Sequence, residues 1–345
     1  MPGARAPRPD RRTRSAKYVK HKKRLRAMEN LCAMHELQGT VGISTAWNSL
    51  RHKSGKKMVR ELLDLGFDLL ELDVHVTCGM AEDILRMVKQ GRVRICSLHN
   101  YCPLPEDLKR EGAARSMPHL SATDEADRAA AVAQTRRTIE WAARLGAAAV
   151  VLHLGAVPME LHQREALRLM GAGMREQAKA IITEDLMERA AVREPYVSSV
   201  IASMEELAGH AGEAGVKLGI ETRCYYSEIP SFDEFQMVFK NVTSPALGYW
   251  HDTGHAHAME VLGITSQEDY LDRYGDRLIG VHLHDAVGGS DHRALGRGEI
   301  DFSKLVPYLR PETQVVLEIH SQASPADLAR SREMALRLPE GARDS

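Results

Sequence analysis

The sequence predicts an α/β fold, a single (β/α)₈ TIM barrel with an extra helical insertion after strand 4. Three observations predict it. From residue 41 onward, eight short apolar runs of β type alternate with longer segments of helical period, the pattern of a parallel sheet wrapped by helices. No glycine-rich phosphate loop of the G-x-G-x-x-G kind follows the first run, which argues against an open doubly wound sheet. The length of 345 residues accommodates one barrel of about 250 to 300 residues with a tail or insertion.

The chain divides into a basic tail over residues 1–40, a barrel over 41–337 and a short C-terminal tail over 338–345. Residues 1–28 hold eleven Lys or Arg against one acidic residue, Asp10, and their Pro-, Arg- and Lys-rich composition reads as disordered. The strands are expected at Val41–Ser44, Leu69–Val76, Val93–Leu98, Ala149–His153, Lys217–Glu221, Leu247–His251, Leu278–His282 and Val315–Ile319. Helices are expected at Gly55–Leu65, Met80–Lys89, Thr123–Leu145, Ser231–Lys240, Gln267–Tyr274, Phe302–Leu309 and Ser324–Leu336. Ser231-Phe-Asp-Glu234 reads as a capping box, and Ser324-Pro325 places proline in a first turn, where its missing N–H costs nothing. The segment 157–214 is too long for one crossover. It contains helical stretches at Gln163–Ala180 and Glu184–Val192, and is expected to form two or three helices serving as wall packing, a lid or an oligomer contact.

Composition narrows the function. Outside the basic tail the chain carries 35 basic against 46 acidic side chains, and an acidic body disfavours a nucleic-acid track. No run approaches the roughly 18 apolar residues that span a bilayer, so no membrane partner is expected and a cytoplasmic location is the expectation. Five cysteines without a C-x-x-C pair argue against a disulfide framework or a zinc knuckle.

The informative pattern is polar. His, Asp or Glu recurs at the C-terminal end of six consecutive apolar strands: His99, His153, Glu221, Asp252, His282 and Glu318. In a barrel these ends converge on one mouth. Six ionisable groups crowded there would repel or need costly desolvation, and a divalent cation resolves the conflict by taking them as ligands. His255, three residues after Asp252 with Gly254 permitting a tight bend, and His292, in the loop after strand seven, can reach the same cavity. Mixed oxygen and nitrogen donors without thiolate suit Zn²⁺, Mn²⁺ or Fe²⁺. His251, His257, His284 and His320 neighbour the cluster out of step with it, as candidates for orienting a ligand. His35, His52, His75, His119, His162 and His210 have no supporting pattern.

In H-D-T-G-H-A (251–256), V-H-L-H-D (281–285) and L-G-R-G-E-I-D-F (295–302), the sequence resembles the xylose isomerase-like superfamily. That superfamily includes sugar-phosphate isomerases and epimerases, inosose dehydratases and endonuclease IV. The resemblance implies a metal held by Glu221, Asp252, His282 and Glu318, with the two glutamates moving protons on either face of a substrate. It further implies that His99, His153, His255 and His292 match positions holding additional zinc ions in endonuclease IV. The chain departs from that pattern at Ser290, where the family has Asp; Asp291 stands next to His292 instead. Arg297 replaces a Glu common in that motif.

Two chemistries follow. The first is isomerisation or epimerisation of a sugar or sugar phosphate: one divalent metal, Zn²⁺ or Mn²⁺, chelates a carbonyl and the adjacent hydroxyl, and Glu221 and Glu318 act as base and acid through an enediolate. The second is phosphoester hydrolysis with two or three metals, on an abasic nucleic acid or a small phosphodiester, of which only the latter suits the charge distribution. Under either, a small-molecule substrate is expected. Arg223 and Asp291 are candidates to bind it, Arg223 by pairing with a phosphate or carboxylate.

Overall fold

A computed structural model describes residues 41–106, 108–110 and 119–341. The basic tail expected over residues 1–40 and the last four residues of the C-terminal tail lie outside the described residues. Eight parallel strands close into a barrel in sequence order: β1 (Val41–Ser44), β2 (Leu69–Leu72), β3 (Arg94–His99), β4 (Ala149–Leu152), β5 (Lys217–Glu221), β6 (Leu247–Asp252), β7 (Leu278–Leu283) and β8 (Gln314–Leu317), which pairs back with β1. Around them run α1 (Gly55–Asp64), α2 (Cys78–Lys89), α3 (Glu125–Leu145), α4 (Gln163–Gly171), α5 (Arg175–Val192), α6 (Glu194–Ala214), α7 (Phe232–Asn241), α8 (Thr253–Val261), α9 (Gln267–Tyr274) and α10 (Pro325–Gly341).

The strands alternate, as a period of two requires. Ile43, Leu70, Leu98, Val150, Leu218, Tyr249, Val281 and Leu317 face the helices in the main core. Leu69, Cys96, Ala149, Val151, Trp250 and Val316 pack together inside the barrel. The Trp250 indole fills the centre of that inner layer, and this is why β5 and β7 carry Gly219 and Gly280. A methyl at Gly219 would lie 2.8 Å from the indole, and one at Gly280 would overlap it.

Local signals set most element ends. Asp124 caps α3 by accepting from Ala126 N–H and Asp127 N–H, and Gly146 ends it with φ 70. The capping box at Ser231 forms, with the Glu234 carboxylate accepting from Ser231 N–H at 2.8 Å. Four expectations need correction. The second strand stops at Leu72, four residues early, because the Asp73 backbone N–H donates to the Thr45 hydroxyl and Thr77 then caps α2. The helix expected over Phe302–Leu309 is two 3₁₀ turns, since Pro307 has no N–H to continue an α-helix. D-T-G-H is the first turn of α8 rather than a bend, with Asp252 as its N-cap. The last helix, expected over Ser324–Leu336, runs over Pro325–Gly341.

The insertion is also shorter than 157–214. Of the three helices after β4, α6 packs between α3 and α7 as the barrel's own crossover, which leaves α4 and α5 as the addition. Their helical run breaks at Gly173, where φ is 76. They carry a separate apolar cluster, Ala166, Leu169, Ala178 and Ile182, packed on Tyr226 and on Ala258 and Met259 of α8. The insertion is thus fastened to the helix that Asp252 caps. Among the described residues no helix is long and apolar enough to cross a membrane.

Candidate metal centre

The inward side chains at the strand ends meet at one point. His282 stands at its centre: Nδ1 lies 2.7 Å from Glu221 Oε1, 3.1 Å from Glu318 Oε2 and 3.7 Å from Asp252 Oδ2. Glu221, Asp252 and His282 are fully buried and Glu318 is 7% exposed. Burial opposes charging each carboxylate, yet the surrounding imidazoles hold Glu221, Asp252 and Glu318 below the usual carboxylate range. Burial likewise opposes protonation of His282, but Glu318 and Glu71 hold it well above an ordinary histidine. Several buried carboxylates around one imidazole form a donor set that a divalent cation could take as ligands. The four donor atoms lie within 4.8 Å of one another, close enough to share one ion.

Two further groups adjoin this quartet. His99 and His153 gather on Glu221, with their Nε2 atoms 3.7 and 2.5 Å from Oε2. The same oxygen accepts from Arg223 Nη1 at 2.7 Å, and the guanidinium also pairs with Glu228 at 2.7 Å. Arg223 is therefore neither a surface residue nor unpaired. It is 6% exposed, lines the cavity, and supplies positive charge at the corner where a second ion would bind.

The other group joins Asp252, His255, His284 and His292. His255 donates Nδ1–H to the Thr222 carbonyl at 3.0 Å, which leaves Nε2 free for a ligand role, 3.9 Å from Asp291. His284 is different. Its Nδ1 accepts from His292 N–H at 2.8 Å, so Nε2 carries the proton and donates to Asp252 at 2.9 Å. Both nitrogens are committed, and His284 orients Asp252. Gly254 is required beside it, because a Cβ there would overlap the His284 ring. His292 adopts a left-handed backbone, φ 54, unusual for a residue with a side chain. That turn lays its ring between those of His284 and His320, at centroid distances of 4.2 and 3.7 Å. Asp291 Oδ1 lies 2.9 Å from His292 Nδ1, and His292 is raised to about 10, against burial, by Asp291 and Glu318.

All eight residues expected as metal ligands thus lie in one mouth, in three adjoining groups that share Glu221 and Asp252. Sequence reasoning missed Glu71. The L-L-E-L run was expected to continue to Val76, which hid this glutamate in mid-strand; with β2 ending at Leu72 it is the last inward residue. It is fully buried against His282 Nε2. His75 and His119, without a sequence pattern, line the cavity of about 360 Å³ above the site. His75 Nδ1 is held at 2.5 Å by the buried Asp73, whose carboxylate also accepts from Thr45 and Ser49. His251 points away from the mouth, its Nδ1 2.7 Å from the Tyr249 hydroxyl, and His257 pairs with Glu299.

Known proteins fit this architecture. A D-tagatose 3-epimerase-like protein superposes with TM-score 0.63 at 18% identity over 88% of this chain and 98% of its own. The 3-keto-D-glucoside 4-epimerase YcjR of E. coli gives 0.60 at 17% identity, covering 86% and 98%. The IolI protein, solved with a bound zinc atom, gives 0.61 at 14% identity, covering 88% and 99%. In sequence, the uncharacterized protein y4fM of Sinorhizobium fredii (strain NBRC 101917 / NGR234) is 25% identical over 215 residues, 59% of this chain. The chain spans 59% of the length of that relative. The family described as xylose isomerase-like TIM barrel matches residues 59–337, so the chain belongs to that family.

Proposed function

We propose that this protein is a divalent-metal-dependent isomerase or epimerase of a sugar or sugar phosphate. The observation that carries the reading is Arg223. Its guanidinium sits 2.7 Å from Glu221 Oε2, the oxygen a second ion beside His99 and His153 would need, and so disfavours an ion there while leaving the quartet open to one. The structural neighbours named as epimerases support the same reading.

Glu221, Asp252, His282 and Glu318 would hold the divalent ion, Zn²⁺ or Mn²⁺, whose charge would polarise a carbonyl and its neighbouring hydroxyl and acidify the C–H between them. Glu221 and Glu318 approach His282 from strands β5 and β8, on different sides of the mouth. One removes the proton from one face of the substrate carbon, and the other delivers a proton to the opposite face. His284 keeps Asp252 oriented meanwhile. Arg223, with Glu228 beside it, presents donors to a substrate hydroxyl or phosphate; His255 lines the same cavity, and Asp291 stands behind His255 and His292, lining the neighbouring cavity.

One observation favours a second reading, a multinuclear phosphoester hydrolase: the donor groups at His99–His153 and at His255–His292 adjoin the quartet on either side. Metal stoichiometry decides. Protein purified without chelator is expected to hold one ion per chain and to exchange a substrate C–H proton with solvent, and Glu221→Gln is expected to abolish this while folding normally. His153→Gln is expected to retain most of the turnover. Two or three tightly held zinc ions, with turnover of a phosphodiester that His153→Gln abolishes, would overturn the isomerase reading.

A further inference from the structure

The floor of the site holds a charge that the reaction above does not use. Glu71 is fully buried inside the barrel, and its carboxylate oxygens lie 2.9 and 3.1 Å from His282 Nε2. One oxygen also accepts from the Ser97 hydroxyl at 2.8 Å. Among the described residues, His282 is the only group able to carry positive charge with which Glu71 forms an ion pair. A carboxylate left in the barrel interior without such a partner would cost several kcal/mol. The charge is therefore tied to His282, the one partner across which Glu71 can act on the quartet above.

The two faces of the His282 ring edge are divided cleanly. Nε2 addresses Glu71 from below, and Nδ1 addresses Glu221, Glu318 and Asp252 above. A carboxylate cannot donate when ionised, so the Nε2–H must, and Nδ1 is the nitrogen that would give up its proton to take an ion. Ser97 on β3 and the Trp250 ring, its centroid 5.2 Å from that of His282, fix the carboxylate and the imidazole in place.

We propose that Glu71 is a positioning residue for the metal: it locks His282 in the Nε2–H tautomer, aims Nδ1 into the quartet and makes that nitrogen a stronger donor. This rests on the reading that the quartet holds a divalent ion. Partners of this kind, hydrogen-bonded to a ligating histidine, typically change metal affinity by about 10- to 100-fold.

The test uses Co²⁺ and Zn²⁺ as probes on the full chain, by competition with a chelator. Glu71→Gln keeps the shape and an acceptor for Nε2–H but removes the charge. It is expected to bind Co²⁺ about 10- to 100-fold more weakly than the wild type, and the weakened ion should be the one that His282→Gln releases. Equal affinity in Glu71→Gln, with His282→Gln still losing the ion, overturns this inference alone. Failure of the wild type to bind either probe overturns the metal reading and this inference with it. A second measurement needs no variant: long-range ¹H–¹⁵N correlation on the Zn²⁺-loaded wild type should place the His282 proton on Nε2, and a proton on Nδ1 would overturn the proposal.

Discussion

At the residue scale the site is an exercise in which proton goes where. Without an ion, the positive charges beside the buried carboxylates include Arg223 on Glu221, His282, held well above an ordinary histidine, and His292, raised to about 10. A cation would have to displace protons to enter, and under the proposed function its affinity is expected to rise with pH. The sign for stability follows from His292. Its unfolded value is near 6.5, so its contribution to the metal-free fold is fully present below that pH and is lost as pH rises toward about 10. Thermal unfolding in chelator is expected to show Tm falling between pH 7 and 10, with a smaller fall in His292→Gln. An equal fall in the variant would assign the pH dependence elsewhere. The residues read well from sequence are those whose strand ends were read well. Glu71 was hidden by a boundary misplaced by four residues, whereas His284 stood among the candidates for orienting a ligand and only the fold paired it with Asp252.

At the element scale, one buried ion pair ties the insertion to the barrel. Arg189 of α5 forms two 2.7 Å hydrogen bonds to Glu234, the fully buried third residue of α7 that also closes its capping box. Burial raises the Glu234 value, but Arg189, the Ser231 N–H and Arg193 together outweigh it and the net shift is downward. The pair therefore stabilises above the unfolded glutamate value of about 4.3 and is lost as pH falls through the lower folded one. Glu234→Gln leaves Arg189 buried without its counter-charge and is expected to cost about 3–5 kcal/mol at neutral pH. Denaturant titration at pH 7 and again below pH 4 checks this, because the gap between wild type and variant must shrink in acid. The capping box was visible in the sequence, as Ser231 and Glu234 three residues apart. The Arg189 partner was not, since 45 residues separate it from Glu234 and nothing local signals the pairing.

At the scale of the whole molecule, the barrel must be closed and plugged for its mouth to hold a constellation. Trp250 is the plug, and Gly219 and Gly280 make room for it. Gly280→Ala is expected to overpack this layer, at about 1–3 kcal/mol, and to weaken metal binding as well, because the displaced indole lies directly against His282. A variant with unchanged Tm and unchanged Co²⁺ affinity would show that the plug is not rigid. The sequence by itself determined the eight-strand pattern and six inward strand ends that carry donors, because a period of two and the rules for apolar runs are local. It also carried the motifs that mark the family. Only the tertiary structure decided that Arg223 shares an oxygen with His153, that His284 has no nitrogen left for a metal, and that Glu71 lies beneath His282. Those relations depend on the stagger of strands across a closed barrel and on rotamers chosen by burial, which the order of residues along one strand does not encode.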